Sequence, residues 1–95
     1  MSLSSPVATL QFYRRDECSL CDEARDALQA VLEERVRRGD PIPRVREINL
    51  SGQPELEADY GPRLPVLAIG SDEIGLATSE RAIGTFLDRV LGRLA

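Results

Sequence analysis

Apolar and polar residues alternate from position 8 to 13, with Ala8, Leu10 and Phe12 on one side and Thr9, Gln11 and Tyr13 on the other. That period of two predicts a β-strand, spanning Val7 to Tyr13. The charged run Arg14-Arg15-Asp16-Glu17 breaks the pattern and reads as a loop. From about Leu20 to Arg38 the period changes. Leu20, Ala24, Ala27, Leu28, Val31, Leu32 and Val36 recur at helical spacing and form a stripe suited to packing on a sheet. The opposite face carries the charges. There Glu33 with Arg37 and Glu34 with Arg38 are i, i+4 pairs in the favourable order, each worth about 0.2–0.5 kcal/mol. Gly39 supplies a stop, and Pro41 and Pro43 keep the helix from resuming.

Arg44 to Leu50 predicts a second strand, with Ile48 and Leu50 as its apolar end and enough charge for a sheet edge. Ser51 is placed to cap a short helix that carries Pro54 in its first turn and finishes near Tyr60-Gly61-Pro62. Val66-Leu67-Ala68-Ile69 is a short apolar strand of the buried kind. Gly70-Ser71-Asp72-Glu73 then reads as a turn into Ile74-Gly75-Leu76, close enough for an antiparallel hairpin. The last helix starts at a Thr78 or Ser79 cap followed by Glu80, and its stripe of Ala82, Ile83, Phe86, Leu87, Val90, Leu91 and Leu94 is the clearest in the chain. Gly84 within it costs about 1 kcal/mol relative to alanine, which points to a close packing contact. The order is βαβαββα, an α/β fold whose first half implies a parallel pair with a right-handed crossover and whose end implies an antiparallel pair.

With 95 residues, 42% of them hydrophobic, the chain fits one domain, expected over residues 8–95 after a tail of residues 1–7. The tail has neither the basic start nor the apolar run of a signal peptide, and nowhere do about 18 apolar residues run together. A cytoplasmic protein without a membrane span is expected. The net charge of −4 argues against nucleic acid or an anionic membrane as partner. Every cation is an arginine, so no lysine is present to form a Schiff base. Histidine is absent too, which removes the usual base of a hydrolytic triad and a common zinc ligand.

The two cysteines, Cys18 and Cys21, sit three apart where the first strand hands over to the first helix. Residues i and i+3 share a helical face, so the two sulfurs can join without much backbone movement. Cys18 falls at the helix N-terminus, where unpaired N–H groups and the macrodipole favour an anion, which makes it the attacking thiol. Cys21, one turn inside, is the resolving thiol. Two cysteines without histidine give half a tetrahedral site, so zinc or an iron–sulfur cluster would require a symmetric dimer. No metal or organic cofactor is expected, and the chain is expected to act as a monomer.

The element order, the Cys-x-x-Cys after the first strand and Leu64-Pro65 before the third resemble the thioredoxin fold and, within it, the glutaredoxins. Tyr13, the run Cys18 to Ala24, Tyr60-Gly61 and Arg63-Leu64-Pro65-Val66-Leu67 are most similar to the small bacterial glutaredoxin-like proteins. The resemblance covers essentially the whole chain and implies a four-stranded mixed sheet flanked by helices. It implies a cis bond at Pro65, with the backbone N–H and C=O of Leu64 open to an extended partner whose cysteine faces Cys18. Arg15 stands where a lysine contacts glutathione in glutaredoxins; Tyr13 and Tyr60 read as packing residues, with Tyr13 also a candidate to border the site. Glutathione is thereby the implied co-substrate, although the Gly-Gly-x-Asp segment of glutathione users is replaced by Gly75-Leu76-Ala77-Thr78-Ser79-Glu80.

The function expected is thiol–disulfide exchange with a protein or small thiol. Two alternatives stand beside it: a glutathione-dependent glutaredoxin, and a binding module of the same fold with inert cysteines. Asp16, Glu17, Asp22 and Glu23 oppose thiolate formation at Cys18, while Arg14 and Arg15 favour it. The same acids also fit plain stabilisation of a helix N-terminus.

Overall fold

The first strand, β1 (Thr9–Arg14), lies inside a four-stranded sheet because both of its edges find a partner. In this computed structural model, which describes residues 8–92, β1 pairs in parallel with β2 (Arg44–Asn49) and antiparallel with β3 (Val66–Ile69). The strand β4 (Asp72–Ile74) completes the order β2-β1-β3-β4. The helices are α1 (Ser19–Arg38), α2 (Pro54–Tyr60) and α3 (Glu80–Leu91), with a single 3₁₀ turn at Gly61–Arg63. Val7, the tail of residues 1–7 and Leu94 lie outside the described residues, as does the C-terminal end of the expected domain.

Alternation along the strands divides the core in two. Leu10 and Phe12 of β1 and Leu67 and Ile69 of β3 face α1 and α3, meeting Ala24, Leu28, Ile83, Phe86 and Leu87. The residues of opposite parity, Tyr13, Val66 and Ala68, face the other way and pack with Cys21, Leu50 and Leu64, against which Leu56 and Tyr60 of α2 lie. The sheet is therefore covered by two helices on one side and one on the other. Burying each large apolar side chain in these layers contributes roughly 1.5–3 kcal/mol. As its charge suggested, β2 is an edge strand.

Five local expectations are corrected by the fold. In α1, Leu20 and Val36 are exposed, and the position buried near the C-terminal end is Arg35. Arg35 is held by Asp88, Pro41 and Gly92, which the period of the helix does not reveal. Arg37 pairs with Glu34 rather than Glu33, which instead accepts from Gln29, and Ala82 of α3 faces solvent. At α2 the N-cap is Gln53, whose side chain makes no capping bond, and the Ser51 hydroxyl is taken by the backbone N–H of Asp16 at 3.0 Å. A methyl group built at Gly84 meets nothing within 4 Å, so that glycine makes no close packing contact.

The turn between β3 and β4 is also shorter than expected. Only Gly70 and Ser71 lie between the strands, and β4 begins at Asp72. Gly70 takes φ +60 at the first turn position, which the glycine-first two-residue hairpin turn requires.

Candidate redox site

Cys18 and Cys21 are joined in a disulfide, with their Cα atoms 5.2 Å apart. Cys18 is the N-cap of α1, in extended conformation, and its sulfur accepts the backbone N–H of Cys21 at 3.1 Å. A capping sulfur of this kind occupies the place of a serine or aspartate oxygen, where free N–H groups and the helix dipole stabilise negative charge. Cys21 is only 2% exposed and belongs to the cluster beneath the sheet end, whereas Cys18 is half-buried and packs against that cluster from outside. Cys18 is thus the more accessible residue of the pair and Cys21 the sheltered one.

The loop before Cys18 is pinned from across the molecule. Asn49, at the end of β2, donates to the Asp16 carboxylate at 3.0 Å and accepts the Ser51 N–H at 2.9 Å. Ser51 in turn receives the Asp16 N–H. Glu17, next to Cys18, has φ +53, a left-handed conformation uncommon for residues other than glycine. Neither Asn49 nor Ser51 was expected here, since their partners are 33 and 35 residues away. Arg14 is bound by Glu47 at 2.9 Å and by Asp16 at 3.8 Å, and Arg15 by Glu57 at 3.1 Å. Both arginines therefore spend their charge on carboxylates. The Glu47 carboxyl is held below its ordinary range by its hydrogen bond from Arg25 and, less strongly, by that from Arg14.

The second wall of the site is the segment before β3. The Leu64–Pro65 bond is cis, both residues are buried, and Leu64 shares its apolar cluster with Cys21. The N–H of Leu64 donates to the carbonyl of Gly61 at 3.3 Å, so one of the two backbone groups assigned to a partner already has a contact. At that length the bond lies just beyond the usual 2.7–3.2 Å. Leu76 donates its N–H to Arg63 at 2.8 Å and Ala77 to Pro65 at 3.0 Å, clamping the following loop onto the same segment. Gly75 permits that approach, because a methyl group there would lie 3.0 Å from Arg63 Cβ and 3.2 Å from its carbonyl oxygen. Leu76 is 61% exposed and has φ +51, a strained arrangement that costs on the order of 1 kcal/mol and is found preferentially at functional sites.

Tyr13 lies beneath this surface, buried, with its hydroxyl donating to Gln11 at 3.0 Å. Tyr60 stacks on it with ring centroids 4.0 Å apart and is the outer ring of the pair. The neighbouring Tyr13, burial and the Glu73 carboxylate push the Tyr60 phenol up to about 12. Arg63 lies over the Tyr60 ring and pairs with Glu73 at 3.1 Å. Among the described residues no group of three or more histidines, cysteines and acids is arranged to hold a metal ion, and no helix is long and apolar enough to cross a membrane.

A mixed sheet in the order 2-1-3-4, a Cys-x-x-Cys disulfide capping the first helix and a cis-proline before the third strand define a protein of the thioredoxin fold with a redox-type cysteine pair. Within that class, the sequence profile of the glutaredoxin-like domain (DUF836) matches residues 9–89, and the chain belongs to this family. It is similar to the X-ray structure of the structural-genomics target protein XcR50 from X. campestris, at 28% identity and a TM-score of 0.67, covering 85% of this chain and 97% of that one. It also resembles protein Ne2328 from Nitrosomonas europaea, at 24% identity and TM-score 0.55 over 79% of this chain and 81% of that one. Thioredoxin 1 from Thermosipho africanus shares the fold at 15% identity, with a TM-score of 0.60 over 87% of this chain and 93% of that one. No curated protein matches the chain significantly.

Proposed function

We propose that the protein is a thiol–disulfide oxidoreductase acting through Cys18 and Cys21 on a protein or small-molecule thiol. The observation that carries this reading is the closed Cys18–Cys21 bridge at the tip of α1, with the outer sulfur accepting a backbone N–H and the inner one buried. In the reducing direction the Cys18 thiolate attacks one sulfur of a target disulfide. A Cys18–target bond forms as the target's own S–S bond breaks, and the second target sulfur leaves as a thiolate. The Cys21 thiolate then attacks the Cys18 sulfur, closing the bridge and releasing the first target sulfur. The protein pair loses two electrons, the target gains them, and the protons given up by the two protein thiols end on the target thiols.

The cycle uses no metal or organic cofactor, runs on a monomer, and belongs in the cytoplasm, where a thiol reductant reopens the bridge. Equilibration against a glutathione redox buffer tests it. The expected result is one two-electron midpoint, where about 30 mV corresponds to 1.4 kcal/mol. Cys21→Ser accumulates a mixed disulfide, and Cys18→Ser abolishes exchange. If alkylating both thiols alters stability alone and no target disulfide is turned over, the protein is a binding module instead.

A further inference from the structure

The site is the cysteine pair; what approaches it is decided by the charge around it. Asp16, Glu17, Asp22 and Glu23 flank the pair in sequence, and all four are exposed. The nearby arginines do not balance them. Arg14 is held by Glu47, Arg15 by Glu57, Arg25 by Glu47 at 3.0 Å and Asp22 at 3.5 Å, and Arg63 by Glu73. These four cations meet three further carboxylates brought in by the fold, Glu47 serving both Arg14 and Arg25, so this end of the molecule sets four arginines against seven acids. Glu17 and Glu23 make no ion pair within 4.0 Å among the described residues, and they stand immediately before Cys18 and two residues after Cys21. The exposed apolar side chains nearby, Leu20 between the cysteines and Leu76 beside Pro65, carry no charge of either sign.

Resting on the redox reading above, we infer that the pair exchanges preferentially with disulfides and thiols that carry positive charge beside their sulfur, and discriminates against anionic ones such as glutathione. An anionic thiol meets four exposed carboxylates and no unpaired arginine among those placed at the site. A cationic one is drawn to the same surface. Arg15, the residue whose position suggested a glutathione carboxylate, already has Glu57 as its counter-ion.

The test uses the reduced full-length protein and three small disulfides at low salt and fixed pH: cystamine, which is dicationic; hydroxyethyl disulfide, which is neutral; and oxidised glutathione, which is anionic. Each rate constant is divided by that of dithiothreitol with the same disulfide, which removes intrinsic leaving-group differences. The normalised rate for cystamine exceeds that for oxidised glutathione by about tenfold or more. The ratio collapses toward one near 1 M salt, where the Debye length is about 3 Å. Glu17→Gln combined with Glu23→Gln lowers the low-salt ratio by about threefold. Glu33→Gln combined with Glu34→Gln, roughly 22 Å further along α1, leaves it unchanged. A ratio that is insensitive to salt, or that favours oxidised glutathione, overturns the inference while normal exchange with hydroxyethyl disulfide leaves the oxidoreductase reading intact. Failure with all three disulfides overturns both.

Discussion

Replacing Arg35 by methionine tests how the two helices on the same face of the sheet are tied together. The Arg35 side chain is buried and spreads its guanidinium over three acceptors: Pro41 O at 2.7 Å, Asp88 Oδ1 at 2.8 Å and Gly92 O at 2.6 Å. These belong to the loop after α1, the last turn of α3 and the residue that caps α3. Methionine fills most of the volume but offers no donor. Two carbonyls lose their partner, each at about 1–3 kcal/mol, whereas Asp88 is 35% exposed and recovers part of its hydration. The expected loss is about 3–5 kcal/mol, the range for breaking a buried ion pair from one side. A chain of this size has a total stability of only about 5–14 kcal/mol, so the midpoint of thermal unfolding falls by about 12 °C or more. Urea unfolding of the oxidised protein measures it. Asp88→Asn keeps both carbonyl bonds and costs about 1–1.5 kcal/mol, and Arg35→Lys falls between the two. These milder variants preserve the ranking if the methionine variant does not fold. Arg35→Met unfolding within 1 kcal/mol of the wild type refutes the argument. Redox chemistry should survive in every folded variant, because Arg35 is about 25 Å along α1 from Cys18.

Gly84→Ala should raise stability by about 0.5–1 kcal/mol, since the added methyl group meets open space and the helix gains propensity, as urea unfolding will show. Gly75→Ala should do the reverse, by roughly 1–3 kcal/mol, because Arg63 must move, and should slow disulfide exchange by shifting the segment that carries Leu64 and Pro65. In an alkaline absorbance titration one tyrosine should ionise near 12, and Tyr60→Phe should remove that phase. The fold favours the neutral phenol, so its contribution is complete below the ordinary value of 10.0 and lost as pH rises from there toward 12. Glu47 has the opposite sign: its contribution is present above its ordinary 4.5 and is lost as pH falls through its lowered folded value. Glu47→Gln should therefore flatten the acid limb of stability, by at most about 1 kcal/mol for an exposed pair.

The features legible in the sequence are those written within one turn or one strand. The period of two in residues 8–13, the helical stripes of α1 and α3, and the three-residue spacing of Cys18 and Cys21 depend on neighbours alone, and each reappears in the folded chain. The misjudged positions are those decided from elsewhere. Val36 fits the apolar stripe of α1 as well as Val31 does, but the rotation of the helix against α3 brings Arg35 inward, where Asp88, 53 residues on, is waiting. Ser51 fits an N-cap by type and place, and loses that role to a loop 35 residues earlier. Leu76 carries no local sign of a positive φ; its backbone is set by hydrogen bonds to the segment around Pro65.

The same division governs how the charge at the cysteines is understood. Along the chain, Arg14 and Arg15 stand against Asp16, Glu17, Asp22 and Glu23, two cations against four acids. In the folded protein, β2 brings Glu47 to Arg14 and α2 brings Glu57 to Arg15, partners 33 and 42 residues distant. Each of these pairs sets a further carboxylate against a cation; Asp16 and Asp22 share in the pairing through Arg14 and Arg25, while Glu17 and Glu23 have no ion pair among the described residues. On the proposed function, a Cys18 thiolate in the reduced protein would meet the first N–H groups of α1 inside a surface whose field opposes it. Those two influences act over different ranges. A hydrogen bond to Cys18 acts at 3.1 Å and is indifferent to salt, whereas the surface field is screened over about 10 Å at 0.1 M. Raising ionic strength should therefore make Cys18 ionise more readily while leaving its cap intact, a shift that titration of the reduced protein at two salt concentrations will measure. A shift of the opposite sign would mean that cations, not carboxylates, dominate the approach to the sulfur.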